Sequence, residues 1–200
     1  MHTLILASGS PRRRELLERA GFLFSVHSIQ ISEIPNKNLS LSDQIEDLAR
    51  QKAYALVESD KYPKSHNNLI LSGDTLVVLD GQVLGKPKDL GQSREFLERL
   101  SGRKHSVITA ICLMAPEEKR EVIAHEESFV YFRKLTEQQI SSYVASGDGM
   151  DKAGAYGIQT LAEGFIDHIE GNIDNVMGLS VGLVEKILKE NNWHVDRRKS

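Results

Sequence analysis

TLILASGSPRRRELL, at residues 3–17, joins a short apolar run to a polar turn and then to a segment with helical character. Ser10 suits an N-cap, and Pro11 suits the first helical position, where a missing N–H costs no hydrogen bond. The first-turn amides would then face the turn at residues 8–10, as at many phosphate sites. Three arginines at 12–14 add positive charge, although neighbouring helix positions diverge by about 100°, so only one or two can face a ligand. The stretch therefore predicts a strand, an anion-binding turn and a helix, with a capped helix and solvated basic turn as the alternative.

Composition narrows the class of protein. The 200 residues are 40% hydrophobic and 26% charged, which predicts one globular domain with a substantial core. A formal net charge of −3 argues against a general nucleic-acid binder, because such proteins carry an extended positive field. We therefore expect the phosphates that this chain meets to belong to small molecules.

The single cysteine, Cys112, excludes an internal disulfide and lies in the apolar run VITAICLM, which predicts a buried thiol in a reducing cytoplasm. The first residues lack the pattern of a signal peptide, and no run approaches about 18 apolar residues. We expect no membrane contact.

Short apolar runs alternate with helical periods, which predicts an α/β fold with a mixed sheet. Asp80-Gly81 predicts a hairpin turn, and Thr136 with Gln139 predicts a capping box. No repeat or linker divides the chain, so we expect one domain over 1–191 and a flexible tail over 192–200. The predicted strands are 3–7, 22–27, 69–72, 75–80, 105–114, 122–133 and 164–169, and the predicted helices are 11–20, 41–58, 92–101, 137–146 and 176–190.

Polar residues interrupt the apolar run LILSGDTLVVLD at 69–80. A carboxylate inside such a strand either caps a neighbouring element or serves a site, and Gly73 allows a backbone or ligand to come close. The favoured interpretation is that Asp74 orders a divalent cation or a water beside phosphates, with the hydroxyl of Thr75 nearby.

Two lysines and one acid are weaker candidates. Lys86 lies between Gly85 and Pro87, a rigid setting that suits a phosphate contact but also an ordinary solvated side chain. Lys52 lies on a helix whose periodicity does not decide between the core side and solvent. Glu33 could be a second carboxylate for metal or water, or an ordinary loop acid.

The loop at 147–159 holds four glycines and ends at Gln159, which suggests the wall or lid of a site. The amide of Gln159 offers a donor and an acceptor, which suits the imide edge of uracil or thymine. Tyr156 could stack on a base or pack in the core. The seven histidines show no zinc spacing, and no P-loop, dinucleotide fingerprint or nucleophile elbow is present.

Six blocks in this order, SGSPRRRELL, SGDT, GKP, SGRKHSVITA, DKAGAYGIQ and NVMGLS, resemble the Maf family of nucleoside triphosphate pyrophosphatases over residues 3–190. The resemblance implies an α/β fold with a mixed twisted sheet, flanking helices and two lobes around a deep cleft, like that of the ITPases. It also implies a homodimer and a divalent metal (Mg²⁺, Mn²⁺ or Co²⁺). One departure is Ser180, where the family commonly has proline.

The resemblance also implies roles for individual residues. Asp74 would be the catalytic base and, with Glu33, a metal ligand. Side chains that would bind the triphosphate are Ser8, Arg13, Lys52 and Lys86. Three residues match the dTTP/UTP branch of the family and would select the base: Arg12, Thr75 and Gln159.

The expected activity is hydrolysis of dTTP and UTP to the monophosphate and pyrophosphate, in control of the nucleotide pool and arrest of cell division. Two alternatives stay open: a regulator of septum formation that senses pyrimidine nucleotides without hydrolysing them, and a pyrophosphatase for modified nucleotides. An intact Asp74 with both lysines favours an enzyme, because a sensor does not need a carboxylate that activates water.

Overall fold

The structure is a computed structural model that describes residues 1–29, 31, 36, 38–63, 65–159 and 164–198. Over these residues the strands are β1 (Thr3–Leu6), β2 (Phe24–Val26), β3 (Asn68–Leu79), β4 (Gln82–Leu84), β5 (Lys104–Ala115), β6 (Arg120–Phe132) and β7 (Ile166–Glu170). The helices are α1 (Pro11–Arg19), α2 (Leu41–Val57), α3 (Leu90–Leu100), α4 (Glu137–Ser146), α5 (Ile173–Met177) and α6 (Val181–Glu190).

The described strands form one mixed sheet in the order β2-β1-β3-β5-β6-β7, with β4 also paired to β3. Strand β1 runs parallel to β2 and β3, whereas β4 is antiparallel to β3 and β7 is antiparallel to β6. The predicted α/β class with a mixed sheet and flanking helices is confirmed.

The chain forms two compact units, which we describe separately. The first unit comprises Met1–Asp74, Thr109–Glu126 and Gly178–Ser200, and the second comprises Thr75–Ile108 and Glu127–Met177. Strand β3 contributes residues to both units, since its first seven residues end at Asp74.

In the first unit, α2 packs through the apolar stripe that its sequence periodicity predicts. The stripe recurs every three or four residues, which places it on one helix face. Its members are buried: Ile45, Leu48, Ala49, Ala53 and Leu56. The hydroxyl of Ser72, buried on β3, donates to the carbonyl of Ala49 at 2.5 Å, so this face of α2 lies against β3.

The second unit has its own apolar core. Leu97 and Leu100 of α3, Val107 of β5 and Val130 of β6 are completely or almost completely buried there. The predicted capping box of α4 is confirmed, because Thr136 accepts from the amide of Gln139 while the Gln139 side chain accepts from the amide of Thr136. Asp80 and Gly81 both have positive φ, 51° and 74°, as the predicted hairpin turn requires.

Two predicted boundaries were wrong. The runs 69–72 and 75–80 form the single strand β3, because the polar residues between them find partners without leaving the strand. The helix predicted over 176–190 is two helices, α5 and α6, separated at Gly178, whose φ is 111°. Ser180 begins α6 by accepting a hydrogen bond from the amide of Leu183 at 3.1 Å.

The segment expected to be a flexible tail is described as far as Arg198 and makes backbone contacts within the first unit. Val195 bridges to His2, and Arg197 bridges to Phe22. Trp193 is 3% exposed, and its indole N–H donates to Glu118 at 3.0 Å. An isolated bridge pairs one residue of each segment, so it produces no alternation of apolar and polar residues from which the sequence could predict it.

No helix in the described part of the chain is long and apolar enough to cross a membrane.

Candidate functional site

The carboxyl end of β1 lies beside the first half of β3 in the first unit. Leu6 pairs with Leu71, and the amide of Ala7 donates to the carbonyl of Leu71 at 2.8 Å. Ser8 therefore leaves β1 at the level where Gly73 follows on β3. Open α/β sheets commonly bind ligands at the carboxyl ends of their parallel strands.

Arg13 is the arginine of the triplet that the structure buries, with 8% of its surface exposed. Its Nη1 donates to the hydroxyl of Ser8 at 3.1 Å, and its Nε donates to the carbonyl of Gly178 at 2.8 Å. Arg14 instead points outward and pairs with Glu18 at 2.8 Å. The divergence expected of consecutive helical arginines is confirmed, and a fixed positive charge lies at the start of α1.

Ser10 occupies the predicted N-cap position of α1, but its side chain makes no capping hydrogen bond among the described residues. The hydroxyl of Ser8 accepts from the amide of Ser10 at 3.2 Å instead. Ser8 therefore organises both the turn and the Arg13 guanidinium.

Asp74 and Lys52 form the second pair of the site. Lys52 Nζ donates to Asp74 Oδ1 at 2.9 Å, and both side chains are about one-sixth exposed. The periodicity of α2 left the direction of Lys52 open. The contact between Ala49 and Ser72 decides it, because Lys52 lies one helical turn beyond Ala49 and Asp74 lies two strand residues beyond Ser72.

Gly73 is the point at which β3 comes close to Arg13. A Cβ placed on Gly73 would lie 2.8 Å from the carbonyl oxygen of Ala110 on β5 and 3.6 Å from Nε of Arg13. The close approach that the sequence predicted for this glycine is confirmed, and the neighbour is backbone on one side and the arginine on the other. Ser8 and Arg13 thus lie against the same strand that carries Asp74 and its partner Lys52, and all four residues belong to the first unit.

Three other predicted site residues belong to the second unit. Thr75, half-buried, follows Asp74 on β3, whereas Lys86 and Gln159 are exposed loop residues. Pro87 is buried beside Lys86, and the carbonyl of Gly85 accepts from the amide of Gly154 at 3.1 Å. The loop that carries Lys86 is therefore tied to the loop that leads to Gln159. Arg12 remains in the first unit, half-buried on α1.

The loop leading to Gln159 is held by side chains of which the sequence analysis singled out only Tyr156. The amide of Gly157 donates to the Tyr143 hydroxyl at 3.1 Å, and this hydroxyl donates to Asp148 at 2.9 Å. The hydroxyl of Tyr156 lies 2.6 Å from Nε2 of His105. Sequence patterns do not reveal these contacts, because the hydrogen-bonded residues are far apart in the chain. Tyr143 and Gly157 are 14 residues apart, and His105 and Tyr156 are 51 residues apart.

Comparison with known proteins identifies the family of this chain. The family model described as "Maf-like protein" matches residues 3–191. The chain belongs to the Maf family. The resemblance seen in the six sequence blocks is thereby confirmed over nearly the whole chain.

Curated Maf relatives cover almost the full length. A dTTP/UTP pyrophosphatase of Bdellovibrio bacteriovorus is 46% identical over 94% of this chain and 97% of its own. Similar proteins of the same name occur in Symbiobacterium thermophilum, 44% identical over 95% of this chain and 94% of its own, and in Pelotomaculum thermopropionicum, 38% identical over 98% and 100%. A solved structure of the Staphylococcus aureus Ham1 protein shares 14% identity over 94% of this chain and 99% of its own, with a TM-score of 0.46.

Few side chains are placed to bind the divalent metal that the Maf resemblance implies. Within the described ranges no three His, Cys, Asp or Glu side chains cluster as a metal site. Asp74 is a described carboxylate at the site, whereas Glu33 lies outside the described residues. A single carboxylate still fits Mg²⁺, which is commonly held by one or two carboxylates together with substrate phosphates.

Cys112 does not have the character of a nucleophile. It is completely buried on β5, and burial raises the pKa of its thiol to about 12. The thiolate needed for nucleophilic catalysis is therefore absent at neutral pH. The prediction that Cys112 is a buried apolar residue is confirmed.

A cavity of about 610 Å³ lies along α4, where Thr136, Tyr143 and Asp148 line it together with Phe165. None of the predicted site residues is among the described residues that line it.

Proposed function

We propose that this chain hydrolyses dTTP and UTP to the nucleoside monophosphate and pyrophosphate. Its Maf relatives at 38–46% identity carry the name dTTP/UTP pyrophosphatase and match over nearly their whole length. The observation that carries the proposal is the carboxylate of Asp74, paired with Lys52 at 2.9 Å, on the strand against which the buried guanidinium of Arg13 lies. The first unit thus combines a proton acceptor with fixed positive charge.

The triphosphate binds where the positive charge is concentrated. Ser8 and Arg13 contact phosphate oxygens at the start of α1, where the helix dipole also favours an anion. Lys52 and Lys86 neutralise further charge. A guanidinium already held by Ser8 and Gly178 loses little freedom on binding, so its position is set before the substrate arrives.

Asp74 acts as the general base. Its carboxylate accepts a proton from water, and the water oxygen forms a bond to the α-phosphorus while the bond from this phosphorus to the α,β-bridging oxygen breaks. Pyrophosphate leaves, and the arginine and lysine charges stabilise the negative charge that develops on the oxygens. No covalent intermediate with the protein is needed.

A divalent metal bound by Asp74, with Glu33 as a second proposed ligand, would neutralise phosphate charge and polarise the phosphoryl oxygens.

Base selection falls to Arg12, Thr75 and Gln159. The Gln159 amide can donate to an acceptor and accept from a donor on the edge of thymine or uracil. Cytosine presents part of this pattern of donors and acceptors in reverse. Methylated or otherwise modified pyrimidines are alternative substrates of the same chemistry.

The assembly is also a proposal. We propose that residues 1–191 act as one domain and that the chain forms a homodimer, as the Maf resemblance implies. Light scattering of the purified chain tests the dimer, and a monomeric mass at working concentration would contradict it.

The decisive experiment measures pyrophosphate release from dTTP, UTP, CTP, GTP and 7-methyl-GTP with Mg²⁺ or Mn²⁺. We expect turnover of dTTP and UTP, and we expect Asp74→Asn to lower it by about 10²–10⁴-fold, the usual contribution of a general base. Lys52→Met tests the paired cation in the same assay. Both variants must keep the circular dichroism and melting behaviour of the native protein.

The outcomes separate the alternatives. Near-native turnover by Asp74→Asn would remove this residue from the chemistry, and preference for a purine would overturn the assignment of Arg12, Thr75 and Gln159. Tight dTTP binding without turnover would favour the nucleotide-sensing regulator.

A further inference from the structure

The loop at 147–157 in the second unit is unusually well fixed for a glycine-rich connection. The amides of Met150, Lys152 and Ala155 donate to carbonyls three residues earlier, at 3.1–3.2 Å. A Cβ on Gly149 would lie only 2.1 Å from the carbonyl oxygen of Ala155, so the two backbones are in contact. Ala155 itself has a φ of 59°, a conformation that the surrounding contacts must impose.

Buried side chains hold the loop from two sides. From α4, the hydroxyl of Tyr143 accepts from the amide of Gly157 and donates to Asp148. Asp148 and Asp151 in turn accept from the ammonium of Lys152, which is 9% exposed. A hydrogen-bonded chain therefore runs from Lys152 through Asp148 and Tyr143 to the backbone of Gly157.

The second anchor comes from β5. His105, 2% exposed, lies 2.6 Å through Nε2 from the hydroxyl of Tyr156, which is 6% exposed. The ring of Phe132 contacts both, with centroid distances of 5.1 Å to His105 and 5.0 Å to Tyr156. Tyr156 is therefore a core residue and not a free stacking platform.

The two anchors fix consecutive residues, Tyr156 and Gly157, and only Ile158 separates them from Gln159. A side chain that reads a base edge must hold its amide in one orientation, because hydrogen bonds weaken steeply when misaligned. Gln159 is exposed and does not owe its position to burial. The fixed peptide before it sets the direction in which its side chain leaves the backbone.

We propose that Tyr143 and Tyr156 are positioning residues that aim Gln159 at the pyrimidine base, through the backbone of residues 156–157. The inference rests on the proposed function only for the identity of the nucleotide. It assigns the two hydroxyls a role in base discrimination and none in the phosphate chemistry.

The test measures binding, so that it does not depend on turnover. Dissociation constants are determined by calorimetry for α,β-imido analogues of dTTP and dCTP and for inorganic tripolyphosphate, which has no base. The variants are Tyr143→Phe and Tyr156→Phe, each of which removes one hydroxyl and keeps the ring. Tyr131→Phe is the matched control, because the Tyr131 hydroxyl in the same unit donates to the exposed Glu170 at 2.9 Å and lies outside the 147–157 loop.

We expect both variants to reduce the preference for the thymine analogue over the cytosine analogue by about tenfold, approaching the value for Gln159→Ala. Tripolyphosphate affinity should stay unchanged, and Tyr131→Phe should behave as the native protein. A purely structural role would instead weaken all three ligands together, which would overturn the proposal.

Other outcomes are equally clear. If Gln159→Ala abolishes discrimination while both tyrosine variants retain it, the positioning role is wrong. Absence of base preference in the native protein would also overturn the inference. Base-selective binding without hydrolysis would leave the positioning role standing and contradict the proposed function alone.

Discussion

At the residue scale, the candidate site depends on how closely β3 approaches its neighbours at Gly73. The backbone of β5 and the Arg13 side chain occupy the space that a larger residue would need. The absence of a side chain therefore lets a charged arginine lie against the strand that carries Asp74. Glycine inside a strand ordinarily weakens it, so this one has a packing reason.

Gly73→Ala should lower the free energy of unfolding by about 1–3 kcal/mol, as overpacking in a dense core does. The new Cβ would lie 2.8 Å from a carbonyl oxygen, which cannot move without shifting β5. Urea denaturation measures the change. Gly182→Ala is the control in the same unit, because its Cβ would meet nothing within 4 Å and alanine favours the helix α6. Equal stability of the two variants would contradict the close approach.

Single residues were also where sequence reasoning was most effective and most limited. The turn at residues 8–10 with the arginines at 12–14 indicated an anion site, and the acid inside the apolar run at 69–80 indicated a functional carboxylate, because both patterns are local. The choice of Ser8 and Arg13 came from the Maf resemblance. Lys52 could not be assigned, since helical periodicity places it at the border of the apolar stripe. Only the register between α2 and β3 decides its direction, and register is a tertiary property.

At the element scale, the second unit relies on α4 and β5 to supply the loop anchors. The helix begins with a capping box that the sequence predicted from Thr136 and Gln139, and it presents Tyr143 two turns later. Strand β5 supplies His105 near its first residue. Neither tyrosine partner could be predicted, because a contact between a helix, a loop and a strand has no sequence period.

Removal of the cap should destabilise α4 without touching its buried face. We expect Thr136→Ala to cost about 1 kcal/mol in the free energy of unfolding, because the amide of Gln139 loses its acceptor at 3.2 Å. Thr136→Ser keeps a hydroxyl acceptor and should retain most of the stability. A thermal or urea melt of the three proteins compares them, and equal losses for Ala and Ser would show that the cap is not responsible.

The buried His105 should make stability depend on acidity. Burial lowers the pKa of its imidazole from 6.5 to about 4, so the folded protein favours the neutral ring. Between these values the unfolded chain binds the proton and the folded chain does not, so the stabilisation present above pH 6.5 is lost as the pH falls toward 4. The full loss amounts to about 3 kcal/mol.

The measurement is the free energy of unfolding across that interval for the native protein and for His105→Gln. The variant has no titrating ring, so its stability should fall less steeply. The remaining titrating groups contribute equally to the free energy of unfolding of both proteins and cancel in the difference. Parallel curves would mean that His105 is solvated and titrates normally.

At the scale of the whole molecule, the alternation of apolar runs was enough to predict an α/β fold with a mixed sheet, because strand and helix periods are local. What it could not predict depends on long-range contacts. Polar residues did not divide β3 because α2 satisfies Ser72, and the contacts of residues 194–198 with His2 and with residues 21–23 involve partners far away in sequence. The division into two compact units likewise follows from tertiary contacts.

The burial of Trp193 has a spectroscopic consequence. It is the chain's single tryptophan, and it belongs to the first unit, so tryptophan fluorescence reports the unfolding of that unit alone. Far-ultraviolet circular dichroism reports helices of both. If residues 1–191 behave as one domain, the two signals should change with the same midpoint in urea, whereas a separate midpoint for fluorescence would reveal a chain that unfolds in steps. One indole thus allows the cooperativity of the protein to be measured without any added label.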